Sequence, residues 1–178
     1  MMKWFNKMDG RTAKRQLVIF LWIGLCNLVV QCFHDALHNL GISTWTIFLA
    51  NVLFFIMENP NRKERFLQSI CGGIFGLLCA AGMVWTSGML RGIGLPGLVA
   101  TLIPLLVALF LLLFLHPVFP ILCNNIGLAF FMVALINSQT ACTHLVGNIV
   151  GVLLGNGVVN VGLILLVTWF EKRHAVRK

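Results

Sequence analysis

Long apolar runs separated by short polar clusters organise this chain. An apolar helix needs about 20 residues to cross a bilayer, with a range of about 17 to 25. On that measure the runs divide into six segments. The first extends from about Gln16 to His38, the second from Ile42 to Met57 and the third from Phe66 to Met89. The fourth covers Leu95 to Leu115 with Pro104 inside it, the fifth Pro120 to Ile136 and the sixth His144 to Phe170. The second and fifth are short, at or under the limit. The first follows a basic stretch, as a signal peptide would. Its apolar part is long, however, and runs into "QCFHDALHNL" with no small-x-small cleavage pattern, so it reads as a retained helix.

Composition agrees with this pattern. Of 178 residues, 59% are hydrophobic and 10% charged, and the mean hydropathy is +0.94. A soluble domain carries about 25% charged residues. The fold class expected is therefore an all-α integral membrane protein, a single membrane domain spanning 1–178, in contact with the lipid bilayer. The net charge of +8 does not point to nucleic acid, because no basic helix face or basic–aromatic interleaving is present. The six cysteines form no CxxC pair and lie mostly in apolar runs. They read as small hydrophobes, not as a disulfide framework.

The basic residues orient the segments. Lys3, Lys7, Arg11, Lys14 and Arg15 precede the first; Arg62, Lys63 and Arg65 follow the second; Lys172, Arg173, Arg177 and Lys178 follow the sixth. Six crossings put these twelve of the thirteen Lys and Arg on one side and leave Arg91 opposite. The positive-inside rule makes that side cytoplasmic, with both termini, in a bacterial inner membrane.

"GGIFGLLCAAGMV" (72–84) and "GNIVGVLLGNGVV" (147–159) match at Gly72/Gly147, Ile74/Ile149, Gly76/Gly151, Leu78/Leu153, Gly82/Gly157 and Val84/Val159. The same offset of about 75 residues carries the first segment onto the fourth, and nearly carries "VLFFIM" onto "LAFFMV". The expected plan is a 3+3 inverted-topology repeat of six transmembrane helices, with halves at about 16–90 and 91–170. Gly-xxx-Gly spacing also arises from close helix packing alone, so Gly72, Gly76, Gly147, Gly151 and Gly155 are packing candidates under either account.

"LGISTWTIFLANVLFF", then a basic turn, then "SICGGIFGLL", resembles the YcdZ-type small inner-membrane proteins of bacteria. The resemblance rests on Leu40, Gly41, Trp45, Phe48, Phe54, Phe55, Gly72, Gly73 and Gly76. It is best over about 40–85 and departs at "MENPNRKERF", where that family tends to a Gly-rich turn. It implies a bacterial membrane protein and carries no activity.

Polar groups inside a bilayer are costly and mark functional candidates. On the first segment Asn27, Gln31, His34, Asp35 and His38 share one face of a regular helix. They read as the wall of a solute pathway, with Asp35 and His34 able to carry a proton. A position among the outer headgroups explains Asp35 as well. Asn148, Asn156 and Asn160 form a second stripe, and Asn51, Asn124 and Asn125 lie in the short segments. These amides either line a pathway or bond helices to one another. No metal is expected: His34 and His38 are four apart, but Cys32 and His34 diverge on a helix. No cofactor and no catalytic residue is expected either. Four of the five carboxylates sit in tails or the basic loop, and no HExxH, GxSxG or phosphate loop is present. The expectation is a homo-oligomeric channel or transporter for a small-molecule solute that is polar and neutral or weakly charged, and not an enzyme. The alternative is a non-transporting accessory or binding subunit of a membrane complex.

Overall fold

The computed structural model describes residues 10–57, 61–136 and 138–175, so Lys3, Lys7, Arg177 and Lys178 lie outside the described residues. All regular structure there is helical: α1 Gly10–Cys32, α2 His34–Asn39, α3 Thr44–Ile56, α4 Arg62–Gly92 and α5 Gly97–Phe114. There follow α6 Asn125–Ile136, α7 Ser138–Thr143, α8 Leu145–Leu154, a π-helical segment Gly155–Asn160 and α9 Val161–Ala175. Three stretches are long and apolar enough to cross a membrane: Lys63–Gly92, Gly97–Phe114 and Leu145–Trp169. Gln16–Cys32, Thr44–Phe55 and Asn125–Ile136 are apolar but shorter. This is consistent with a membrane protein.

The elements differ from the simple segments in four places. The first segment is not one helix: it breaks at Phe33, whose φ of −99° and ψ of 14° are not helical. The polar stripe is therefore divided, with Asn27 and Gln31 on α1 and His34, Asp35 and His38 on α2. The third segment is longer than its apolar run, because Asn61 caps it by accepting from Lys63 N at 3.1 Å. The fifth is shorter. Pro117 and Pro120 each remove an amide donor and bias the preceding residue away from helix, so residues 115–124 form turns and α6 starts at Asn125. The sixth is interrupted by the π segment. Pro104, by contrast, sits buried inside a continuous α5.

Two turns depend on glycine. Gly41 (φ 73°) and Gly94 (φ 91°) follow α2 and α4. At each, the glycine N–H and the next N–H bond back into the helix: Gly41 to His38 O and Ile42 to Leu37 O, Gly94 to Arg91 O and Leu95 to Leu90 O. This is the Schellman arrangement, in which a left-handed residue closes the helix end.

α4 is the axis of the bundle, packing against α5, α6, α7 and α8. Its core includes Leu77, Ala80 and Met83 with Phe130, Phe131 and Ala134 of α6 and Val152 of α8. α5 gives this core a single stripe, Ala100, Pro104, Ala108 and Leu112; other α5 residues such as Leu106 and Phe110 remain exposed. Two pairs of helices run side by side in the same direction. In one, Gly147 meets Gly41, Gly151 meets Thr46 and Gly155 meets Ile47 and Ala50, so α3 parallels α8 and the π segment. In the other, Gly72 meets Asn124 and Gly76 meets Gly127, so α4 parallels α6. In each pair the glycines let backbones approach where a methyl group would not fit.

Candidate functional site

Among the described residues, five of the eight buried polar side chains lie along the α3–α8 pair; Ser69, Ser87 and Asn124 lie elsewhere. Thr46 and Asn51 of α3, Asn148 of α8 and Asn156 and Asn160 of the π segment are each 0–1% exposed. Buried amides ordinarily find partners, because an unmet donor or acceptor costs about 1–3 kcal/mol. Some here do. Asn156 Nδ2 donates to Val152 O at 3.0 Å, and Asn160 Nδ2 to Asn156 Oδ1 at 3.0 Å. Asn160 Nδ2 also lies 3.5 Å from Ala50 O, across the seam. Thr46 Oγ1 donates to Ser43 O at 2.6 Å. Others do not: both amide atoms of Asn51 and of Asn148, and Asn160 Oδ1, have no protein partner. Asn148 lies between two rows of its helix, the Gly147–Gly151 row facing α3 and Val152, which packs against Gly73 of α4.

The π segment determines where the last asparagine points. On a regular α-helix each residue turns about 100°, so Asn160 would drift away from Asn148 across the stripe. A π turn takes up roughly one extra residue and brings Asn160 back toward α3. Trp22 of α1 secures the segment from outside, donating from Nε1 to Val159 O at 3.0 Å and covering Gly162.

An open cavity of about 500 Å³ lies at one end of the seam, lined by Leu40–Ile42, Cys142–Gly147 and Val150. The His144 ring covers Gly41 there. His144 O accepts from Asn148 N at 2.8 Å, so Asn148 lies one helical turn after His144, between the cavity-lining Gly147 and Val150.

The remaining candidates are placed differently. Asn27 is half-buried and its Nδ2 donates to its own helix at Ile23 O, 2.9 Å. Gln31, His34, Asp35 and His38 are exposed. His34 Nδ1 is 3.4 Å from Thr44 Oγ1, and its ring lies 6.2 Å from that of His38. Asn125 is exposed in the first turn of α6. Asn124 is buried and fully bonded: Nδ2 donates to Gln68 O, Pro120 O and Ile121 O, and Oδ1 accepts from Gly127 N. It caps α6 and ties it to α4. Asn124→Ala is expected to lower stability by about 2 kcal/mol, read as the thermal midpoint in detergent; an unchanged midpoint would contradict the clamp. Among the described residues no group of three His, Cys, Asp or Glu could hold a metal. Thr46 and Trp22 belong to this region and were not among the sequence candidates. A threonine in an apolar helix is an ordinary residue, and a contact across 137 positions leaves no local trace.

No curated protein and no solved structure matches the chain. The family model described as "Protein of unknown function (DUF1097)" matches residues 21–163, well over half of the sequence, and the chain belongs to that family.

Proposed function

We propose that this protein is a small membrane channel or transporter whose solute passes along the seam between α3 and α8–π. The observation that carries this is the pair Asn51 and Asn148, fully buried with both amide ends unpartnered. A solute that both donates and accepts hydrogen bonds would satisfy them. Charged solutes fit poorly: the buried polar side chains described along the seam are Thr46 and asparagines, with no ionisable group to offset the desolvation of an ion. A π segment inside a spanning helix supports the same reading, since such bulges recur at functional sites.

The three shorter apolar helices added to the three long ones give six crossings in our reading. Their plan is a 3+3 inverted repeat. Its second segment runs parallel to its sixth, and its third to its fifth, and each pair becomes the other when the halves are exchanged. α3, about 20 Å long, and α6, about 18 Å, are shorter than the roughly 30 Å hydrocarbon core. Such short helices in matching places of two halves point to a central site. We place the basic end in the cytoplasm of a bacterial inner membrane, the 500 Å³ cavity outside, and Asp35 and His34 as a proton-carrying pair near that mouth. We also assign the chain to the YcdZ-type branch and expect a homo-oligomer.

The deciding experiment is swelling and shrinkage of proteoliposomes across a panel of water, urea, glycerol and small amides. Flux above that of empty liposomes for at least one solute is expected. No excess flux for any of them, together with recovery of the protein in a stable hetero-complex, would replace this reading with the accessory-subunit one. Sidedness has its own test. With Cys142 as the sole cysteine, a membrane-impermeant maleimide should label right-side-out vesicles and spare inverted ones. Burial raises the Cys142 thiol above its ordinary value, and the thiolate is the nucleophile, so labelling should be slow at pH 7 and accelerate toward pH 9.

A further inference from the structure

At the opposite end of the α3–α8 pair a smaller cleft of about 120 Å³ opens between four helices. Ile19 of α1, Phe54 and Phe55 of α3, and Leu163 and Val167 of α9 supply apolar walls, and Arg65 of α4 is the charged residue in its lining. Arg65 is half-buried, with its guanidinium carbon 5.5 Å above the centroid of the Phe54 ring. The cleft lies at the ends of two elements. Phe55 is two residues before Met57, where α3 stops, and Arg65 is in the first turn of α4. That is the depth at which a bundle leaves hydrocarbon for headgroups. Exposed Lys63 shares the same turn.

We propose that this cleft holds an anionic phospholipid, with its phosphate on Arg65 and its upper acyl carbons against the apolar walls. The cation–π contact with Phe54 holds the guanidinium over that ring, at the cleft. Its five N–H donors lie in the plane of the group and match a phosphate in fork geometry. The apolar walls require a chain beside the phosphate, which a free anion lacks. Arg62, Lys63 and Arg65 outnumber Glu64 in this turn, which disfavours a choline headgroup, whose own cation would sit among them. Basic clefts between membrane helices are suited to such headgroups. The site needs the bundle to be in a membrane but does not depend on transport.

The test compares phosphatidylglycerol, phosphatidylcholine and inorganic phosphate added to the full-length protein in neutral detergent. Thermal midpoint and native mass spectrometry are the readouts. Phosphatidylglycerol should raise the midpoint by about 3 °C or more and remain as one retained lipid. Arg65→Lys should weaken both effects and Arg65→Gln should abolish them. Equal stabilisation by phosphatidylcholine would overturn the charge assignment, and equal stabilisation by inorganic phosphate would overturn the lipid. Retention by Arg65→Gln would remove Arg65 from the site. Should that variant not fold, Ile164→Trp decides, because it fills the cleft and leaves Arg65 in place. Lipid still retained in that variant would refute the proposal.

Discussion

Gly76→Ala is expected to destabilise the protein by about 3 kcal/mol or more, the upper range for forcing a methyl group into a packed interior. A Cβ at this position would collide with the backbone of Gly127, its carbonyl oxygen and carbonyl carbon included. A side chain could swing aside, but a helix backbone cannot without moving α6. That movement would also strain Asn124, which ties α6 to Gln68. The control is in the same helix. Gly82 has nothing within 4 Å of the added carbon, so Gly82→Ala should be neutral or gain up to about 1 kcal/mol from helix propensity. Thermal unfolding in detergent, followed by loss of the monodisperse peak, separates the two. Equal midpoints would mean that α4 and α6 are not in backbone contact.

Asn148→Leu is expected to do the reverse: to keep or raise stability while abolishing solute flux. An amide that is 0% exposed and unpartnered at both ends holds an unrecovered desolvation cost. Replacing it with an apolar group of similar size removes that cost and is nearly neutral or stabilising. Asn51→Leu should behave alike. The same substitution at Asn124, where every amide atom is engaged, should destabilise. Liposome flux beside thermal midpoints checks the set. A destabilised Asn148→Leu would show that the amide is bonded in the working protein, and normal flux through it would remove the seam from the pathway.

Asn148 and Asn124 illustrate how far this fold and site are legible in the sequence. Both are asparagines in apolar surroundings, each within a few residues of a packing glycine. One is a fully bonded cap, and the other has spare donors and acceptors. The difference lies in neighbours 56 positions away at Gln68, which no local pattern records. Long apolar runs locate α4, α5 and the α8–α9 stretch well, because bilayer length and hydropathy are local properties. The glycine pattern marks Gly72, Gly76, Gly147, Gly151 and Gly155 as close-approach positions, and each has a neighbour leaving little room for a methyl. What they approach was not legible. Helical periodicity also assumes a constant 3.6 residues per turn. It therefore kept the first polar stripe on one helix, past the break at Phe33, and it passed over the π segment.

The parallel course of α3 and α8 has an electrical consequence. Peptide dipoles in a helix add to about half a positive charge at its N-terminus. Antiparallel neighbours would cancel, but these two begin side by side, at Thr44 and Leu145, beside the same 500 Å³ cavity. Neither Ser43 nor His144 shields its helix start with a side-chain hydrogen bond. The two helix starts therefore add a positive backbone contribution at this cavity, against which stand the ends of the short α2 and α7, at Leu40 and Thr143 of the same lining. In the proposed pathway that contribution would disfavour cations and suit neutral molecules entering with their lone pairs leading.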